Sequence, residues 1–341
     1  MKKYFSTILK IVASVAIVGF LGYKATSNDQ FALILNSEKK WGFLALAQLL
    51  VTAGIALSFI RWRRLVQAVG IPFSWIDSLR IGFIGHMFGC ISIGTFGSDA
   101  IRVFYVSREN PEQKAVALVS VFVDRICGLI GLLMLTTLTI FCFRWFGKSE
   151  ILNSESGFLQ SIAWIALGST VAGLIGFSGI FIFPLIQKTR SFQALTRWRM
   201  VGPFFEKSLE AGVVYGKRPL VLGVALLQSI GVHVFLTLSV FCVAIGLGVD
   251  HPSLGDHFII SPISHLASVL PLPGGIGGLE GFLWYFYRSI SGLAENSVGF
   301  IVALAYRIEI LIVAILGVVF YLAGRRELRS AIRQQTSDRE A

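Results

Sequence analysis

Two stretches of this chain, about 180 residues apart, repeat the same polar and glycine landmarks inside apolar sequence. The matched positions keep an offset of 180 to 182 residues: Gln48 and Gln228, Asp99 and Glu280, Phe104 and Phe286, Arg125 and Arg307. An internal duplication whose apolar segments are interrupted at matching places is typical of the core of a transporter. The sequence therefore predicts two copies of one structural unit.

The composition indicates an all-α integral membrane protein. Apolar residues make up 55% of the chain and charged residues only 14%, against roughly 25% charged in a soluble domain. The net charge of +11 comes without a nucleic-acid-binding motif, and an excess of Lys and Arg is typical of cytoplasmic loops. The four cysteines form no CxxC pair. Nucleic acid is therefore not expected as a partner, and neither a metal nor another cofactor is expected.

A bilayer core of roughly 30 Å requires about 20 apolar residues in a helix. Six segments qualify as full transmembrane helices, at about 8–24, 42–60, 115–143, 158–186, 219–247 and 296–323. Two further apolar stretches, 74–97 and 258–280, are broken by Gly, Ser, His and Pro, and we predict that each is a re-entrant segment. The first span is expected to be an uncleaved anchor.

The span count predicts an inverted structural repeat. Each copy holds two full spans and one re-entrant segment, and the extra span at 158–186 turns the second copy over. The distribution of Lys and Arg predicts that both termini are cytoplasmic in a multi-pass protein of the plasma membrane. We predict a single transmembrane domain, 1–341, in five parts. They are an anchor helix with its outer loop (1–39), repeat 1 (40–147), a connecting segment (148–218) that holds one span and a cytoplasmic amphipathic helix at 188–216, repeat 2 (219–324), and a cytoplasmic tail (325–341) that is a helix end followed by a frayed terminus.

Arg125 and Arg307 each lie about ten residues into an apolar span, a depth of about 15 Å. A buried arginine requires an interior partner. The acids next to them, Asp124 and Glu309, are poorly placed because neighbours one or two residues apart on a helix point to different sides. The candidate partners are the acids at the ends of the re-entrant segments, Asp99 and Glu280, which we expect to approach each other near the bilayer centre. These pairs either bind substrate or only lock the repeats together.

The stretch Pro271-Leu272-Pro273-Gly274-Gly275-Ile276-Gly277-Gly278 has two interpretations. Its glycines could let backbone N–H groups approach a phosphate, or they could form a tight turn. The matched pair His86 and His265 could share a role or satisfy local hydrogen bonds, and no metal-ligand spacing accompanies them. His251 and His257 are expected to be solvated in an outer loop.

Three motifs carry a resemblance to a known family. They are Gly94-x-x-Gly97-Ser98-Asp99-x-x-Arg102, Asp124-Arg125-x-x-Gly128 and Pro271-x-Pro273-Gly274-Gly275-x-Gly277-x-x-Glu280. Residues 40–323 thereby resemble the lysylphosphatidylglycerol synthase transmembrane-region family, also described as flippase-like, which includes the membrane half of the multiple peptide resistance factor. The resemblance implies movement of anionic or aminoacylated phospholipids, or of polyprenyl-linked lipids, between leaflets. No soluble segment follows Ala323, so the synthase activity is not expected.

The leading hypothesis is therefore a lipid flippase or translocase that is not an enzyme. The candidate substrate-binding residues are Asp99, Arg102, Asp124, Arg125, Pro273, Gly274, Gly275, Gly277, Glu280, Arg307 and Glu309. No GxxxxGK[ST] motif is present, so transport would be passive or ion-coupled. The alternatives are a non-transporting partner of a lipid or cell-envelope synthase and a membrane-embedded lipid transferase. Expected partners are membrane phospholipids or polyprenyl lipids, with a lipid-modifying synthase and a second copy of the chain as further candidates.

Overall fold

The computed structural model describes residues 38–92, 96–109, 111–146, 157–186, 211–267, 277–289 and 298–340. The longer elements in this part of the chain are α1 (Trp41–Ala68), α2 (Trp75–Ile91), α3 (Phe96–Glu109), α4 (Lys114–Phe146), α5 (Gly157–Ile186), α6 (Pro219–Leu247), α7 (Leu254–Ala267), α8 (Gly278–Arg288) and α9 (Val298–Glu340). A short 3-10 helix, Pro111–Gln113, joins α3 to α4. The predicted span at 8–24 and most of the predicted amphipathic helix lie outside the described residues.

Four of these helices, α1, α4, α6 and α9, are long and apolar enough to cross a membrane. They coincide with the predicted spans at 42–60, 115–143, 219–247 and 296–323. The part of α5 at Trp164–Gly179 is also apolar. The protein is therefore an all-α, multi-pass membrane protein, as the composition predicts.

Two helices extend beyond the predicted spans. α1 continues through Arg61 and Arg63 to Ala68, eight residues beyond the predicted span at 42–60. The guanidinium of Arg63 lies 4.1 Å from the centre of the Trp75 ring and its Nε donates to the Phe73 carbonyl. α9 continues to Glu340, so the helix end that was predicted at the start of the tail extends over most of it. A charged residue ends an apolar run but not a helix, because Arg, Lys and Glu are themselves good helix formers.

The first helices of the two copies, α1 and α6, run antiparallel along most of their length. At one end the Lys40 N–H donates to the Gly246 carbonyl at 2.9 Å. Further along, the Ser239 hydroxyl donates to the Ala47 carbonyl at 2.9 Å. Near the middle, a Cβ on Gly54 would come within 3.1 Å of α6. Small residues thus allow the two corresponding helices to approach closely.

The helix contacts of the first copy recur in the second. The contacts of α1 with α2, α2 with α3 and α3 with α4 are matched by those of α6 with α7, α7 with α8 and α8 with α9. The copies also exchange contacts, since α2 packs on α9 and α7 packs on α4. In the first of these contacts Phe83 stacks on Phe320 with ring centres 5.8 Å apart.

The contact between α4 and α6 depends on a glycine. An ideal Cβ on Gly131 would lie 2.3 Å from the Cβ of Ser229, so Gly131→Ala is expected to destabilise the fold by about 1–3 kcal/mol through overpacking. The melting temperature of the purified protein measures this effect. Gly223→Ala is the matched control, because a Cβ there has no described neighbour within 4 Å. Equal melting temperatures for the two variants would contradict the packing described.

Candidate functional site

The first charged pair joins α3 to α4. The Nε of Arg125 donates to both carboxylate oxygens of Asp99, at 2.9 and 3.0 Å, and Asp99 lies in the first turn of α3. The predicted partner of Arg125 is confirmed. The side chains of Arg125 and Asp99 are 39% and 22% exposed, so this ion pair is accessible from outside the bundle.

The matching pair in the second copy joins α8 to α9 and is less accessible. Arg307 donates to Oε1 of Glu280 through Nε and Nη2, at 2.9 and 2.7 Å, which confirms the second predicted partner. Oε2 of Glu280 accepts from the Gly277 N–H at 2.8 Å and so caps the start of α8. Gly277 has a φ of +106°, which favours glycine. The side chains of Arg307 and Glu280 are only 18% and 2% exposed.

A third group of charges is buried and was not predicted in full. Asp124 accepts from Nε of Arg61 at 2.7 Å and from Nη1 of Arg102 at 3.3 Å. Arg61 also donates to the Ser229 hydroxyl of α6 at 2.7 Å. Asp124, Arg102 and Arg61 are 1%, 4% and 5% exposed. Sequence reasoning missed Arg61 because it follows the apolar run, although the lack of a same-helix partner for Asp124 was a signal that one existed elsewhere.

The motif Asp124-Arg125-x-x-Gly128 is explained by these contacts. Asp124 and Arg125 are adjacent and point apart, so Asp124 contacts Arg61 while Arg125 contacts Asp99. Gly128 is one turn beyond Asp124, and a Cβ there would lie 3.3 Å from the Arg61 guanidinium. The glycine therefore provides the space in which the buried arginine lies.

A cavity of about 1200 Å³ lies between α3 and α4, on the side of the Asp99–Arg125 pair. We call it the α3–α4 groove. Its lining comes from one face of each helix: Phe96, Asp99, Ala100, Val103, Phe104, Ser107, Arg108, Lys114, Leu118, Val119, Val121, Phe122 and Arg125. The charged residues lie at its two ends, since Lys114 begins α4 and Arg125 is eleven residues further, or about 17 Å along the helix. The groove is apolar between them.

The other candidate substrate-binding residues take no part in the ion pairs described above. Glu309 is 9% exposed, and its Oε2 has no hydrogen-bond partner among the described residues. Pro273, Gly274 and Gly275 lie outside the described residues, so their predicted contact with phosphate stays a prediction. The predicted approach of Asp99 and Glu280 to each other also stays a prediction.

The matched histidines make hydrogen bonds inside the bundle, and His86 bonds the Ile310 carbonyl of α9 at 3.4 Å. The ring of His265 bonds the Ser261 carbonyl at 2.7 Å and the Tyr306 hydroxyl at 3.0 Å. The prediction that His257 is solvated is wrong, because α7 begins at Leu254 and carries this side chain inward. His257 is fully buried and bonds the Tyr287 hydroxyl at 2.8 Å.

The fold and the charged pairs together define a multi-pass, all-α membrane protein with a duplicated bundle and an apolar groove beside an accessible ion pair. Residues 7–329 match the family described as Lysylphosphatidylglycerol synthase TM region. The chain belongs to this family, as the three motifs indicated. A comparison with curated proteins gave no match. Family membership is compatible with a lipid-related role in the membrane.

Proposed function

We propose that this protein is a lipid flippase or translocase that moves an anionic or polyprenyl-linked lipid between the leaflets of the plasma membrane. The observation that carries the proposal is the accessible Asp99–Arg125 pair at one end of the apolar α3–α4 groove. A lipid has the matching chemistry, because its chains are apolar and its phosphate pairs with a guanidinium through two parallel hydrogen bonds.

The composition of the groove supports an amphiphilic occupant. Phe96, Phe104 and Phe122 line it and are 68%, 59% and 64% exposed, so they offer apolar surface to lipid chains. At the end remote from Arg125 the groove is lined by Arg108 and Lys114. These two cations would attract an anionic headgroup before it reaches Arg125.

The difference between the two copies supports alternating access. Phe104 is 59% exposed, whereas its counterpart Phe286 is fully buried, and the Asp99–Arg125 pair is more exposed than Glu280–Arg307. The first copy is thus open and the second closed. The antiparallel packing of α1 on α6 is what an inverted repeat would produce, and we include in the proposal the six full spans, the two re-entrant segments and the cytoplasmic termini.

In this proposal the protein transports lipid without acting as an enzyme, and movement is passive or coupled to an ion. Each half would open its own groove towards one leaflet while the other half is closed. The family's description favours a second candidate, a membrane partner of a lipid synthase that does not itself transport. Membrane phospholipids or polyprenyl lipids are its proposed ligands in either case.

The central test is Arg125→Gln in proteoliposomes with a fluorescent anionic phospholipid. We expect lipid movement to be abolished, because the headgroup phosphate loses its charged partner. Stability should fall by about 1 kcal/mol or less, since the ion pair is partly exposed. Arg125→Lys should recover only part of the activity, because lysine keeps the charge but not the bidentate geometry.

Arg64→Gln is the matched control, since Arg64 is an exposed arginine on α1 that lies outside the charged pairs and the groove lining. It should move lipid at the rate of the unmodified protein. Undiminished movement in Arg125→Gln, with the same melting temperature, would reject the groove as the transport site. Absence of lipid movement in the unmodified protein would favour the non-transporting partner.

A further inference from the structure

The Asp99–Arg125 pair and the buried group of Asp124, Arg61 and Arg102 together carry an excess of one positive charge. Three arginines, Arg61, Arg102 and Arg125, face two carboxylates, Asp99 and Asp124. Each carboxylate already has a closely bonded arginine: Arg125 donates to Asp99 at 2.9 Å and Arg61 to Asp124 at 2.7 Å. The third arginine is therefore in excess within this group.

Arg102 is that third arginine. Its one hydrogen bond to Asp124 is 3.3 Å long, whereas a guanidinium offers five N–H donors. Its Nε is buried without a hydrogen-bond partner among the described residues. The guanidinium carbon is instead held between two aromatic rings, 5.3 Å from the centre of Phe59 and 5.2 Å from that of Trp62. Burial with so few hydrogen bonds is costly, so the remaining donors of Arg102 are available to a second acceptor.

Asp99 is a second carboxylate close to Arg102 on the same helix. The two residues lie three positions apart on α3, a spacing at which helix side chains are neighbours. Arg102 also lies within electrostatic range of Asp99 and Arg125. If Arg102 moved away from Asp124, Arg61 would still donate a hydrogen bond to that carboxylate.

We infer that Arg102 is the reserve partner of Asp99, and that the site therefore selects a headgroup with a net charge of minus one, namely a phosphodiester that carries no cationic group. When the phosphodiester bonds Arg125, Asp99 leaves that arginine and pairs with Arg102. The headgroup then balances the excess positive charge. Arg102 acts as a positioning residue, since it works through Asp99 and does not contact the lipid. This inference rests on the proposed function, because it assumes that the headgroup binds at Arg125.

The inference is tested by a double-mutant cycle on the full chain in nonionic detergent, with short-chain phosphatidylglycerol as the ligand and calorimetric titration as the measurement. Arg102→Gln alone should weaken binding about tenfold, because Asp99 then competes with the headgroup for Arg125. In the Asp99→Asn background that competitor is gone, so adding Arg102→Gln should change Kd less than about twofold. Phosphatidylcholine has the same phosphodiester but no net charge, because its choline group is cationic, so it should bind the unmodified protein more weakly than phosphatidylglycerol; equal binding would contradict selection by net charge.

Two results would overturn the inference. An equal loss in both backgrounds would mean that Arg102 acts on the lipid directly, and no loss in either would mean that Asp99 needs no reserve partner. Should Arg102→Gln fail to fold, Arg102→Lys replaces it: the retained charge should keep Kd close to that of the unmodified protein, and a tenfold loss would overturn the inference.

The proposed function can fail separately. If the cycle shows the expected coupling but proteoliposomes move no lipid, the binding site stands and the flippase proposal falls. If lipid moves but Arg102 and Asp99 show no coupling, the flippase proposal stands and the role of Arg102 falls. Arg64→Gln serves again as the control for a general loss of positive charge.

Discussion

Asp124→Asn is expected to abolish the folded protein. Asp124 is the carboxylate between Arg61 and Arg102, and all three side chains are at least nine-tenths buried. The neutral amide would leave two buried guanidiniums without that anion. Removing one partner of a buried ion pair typically costs about 3–5 kcal/mol, and here two arginines lose the same carboxylate. Because whole domains are stable by only about 5–15 kcal/mol, we expect little folded protein in a size-exclusion profile of detergent extracts.

Substitutions of the two arginines in this network should differ in how strongly they destabilise the fold. Arg61→Gln should be severe, because Asp124 keeps only its 3.3 Å bond to Arg102. Arg102→Gln should be mild, because Asp124 keeps Arg61. Asp250→Asn makes the same chemical change at an exposed position and should have no effect. A monodisperse Asp124→Asn protein with an unchanged melting temperature would show that this network does not stabilise the fold.

Arg307→Gln is expected to destabilise the protein by about 3–5 kcal/mol, in contrast to Arg125→Gln. The matched arginines differ in the burial of their partners: the side chain of Glu280 is 2% exposed and that of Asp99 is 22% exposed. Loss of Arg307 would leave the buried carboxylate of Glu280 without its guanidinium. The melting temperatures of the two variants, measured side by side, check this expectation.

The double variant Glu280→Gln with Arg307→Gln is the control. Replacing both partners removes the uncompensated charge, and such replacements are often nearly neutral. The glutamine oxygen can still accept from the Gly277 N–H, as Oε2 of Glu280 does. The double variant should therefore be more stable than Arg307→Gln alone. If Arg307→Gln is as stable as Arg125→Gln, the Glu280–Arg307 pair does not stabilise the fold more than the Asp99–Arg125 pair does.

The sequence predicted the partners of Arg125 and Arg307 because the need for a partner can be recognised from the apolar residues around each arginine. An arginine deep in a span requires an anion, and the neighbouring acids Asp124 and Glu309 were excluded by helix geometry. That left Asp99 and Glu280, and the structure places each beside its arginine. The same reasoning did not reach Arg61, because a charge just past an apolar run is indistinguishable in sequence from a loop charge.

The sequence by itself determined the class of protein, the duplicated plan, four of the spans and the two ion pairs between α3 and α4 and between α8 and α9. These follow from composition, periodicity and the cost of burying charge, which are properties of residues and their spacing. Only the tertiary structure decided that Arg61 is buried, that His257 is inside and that one pair is accessible while its counterpart is closed. Burial depends on what packs against a helix face, and corresponding residues in the two copies meet different neighbours. The two copies therefore share a pattern of residues but differ in which side chains they expose.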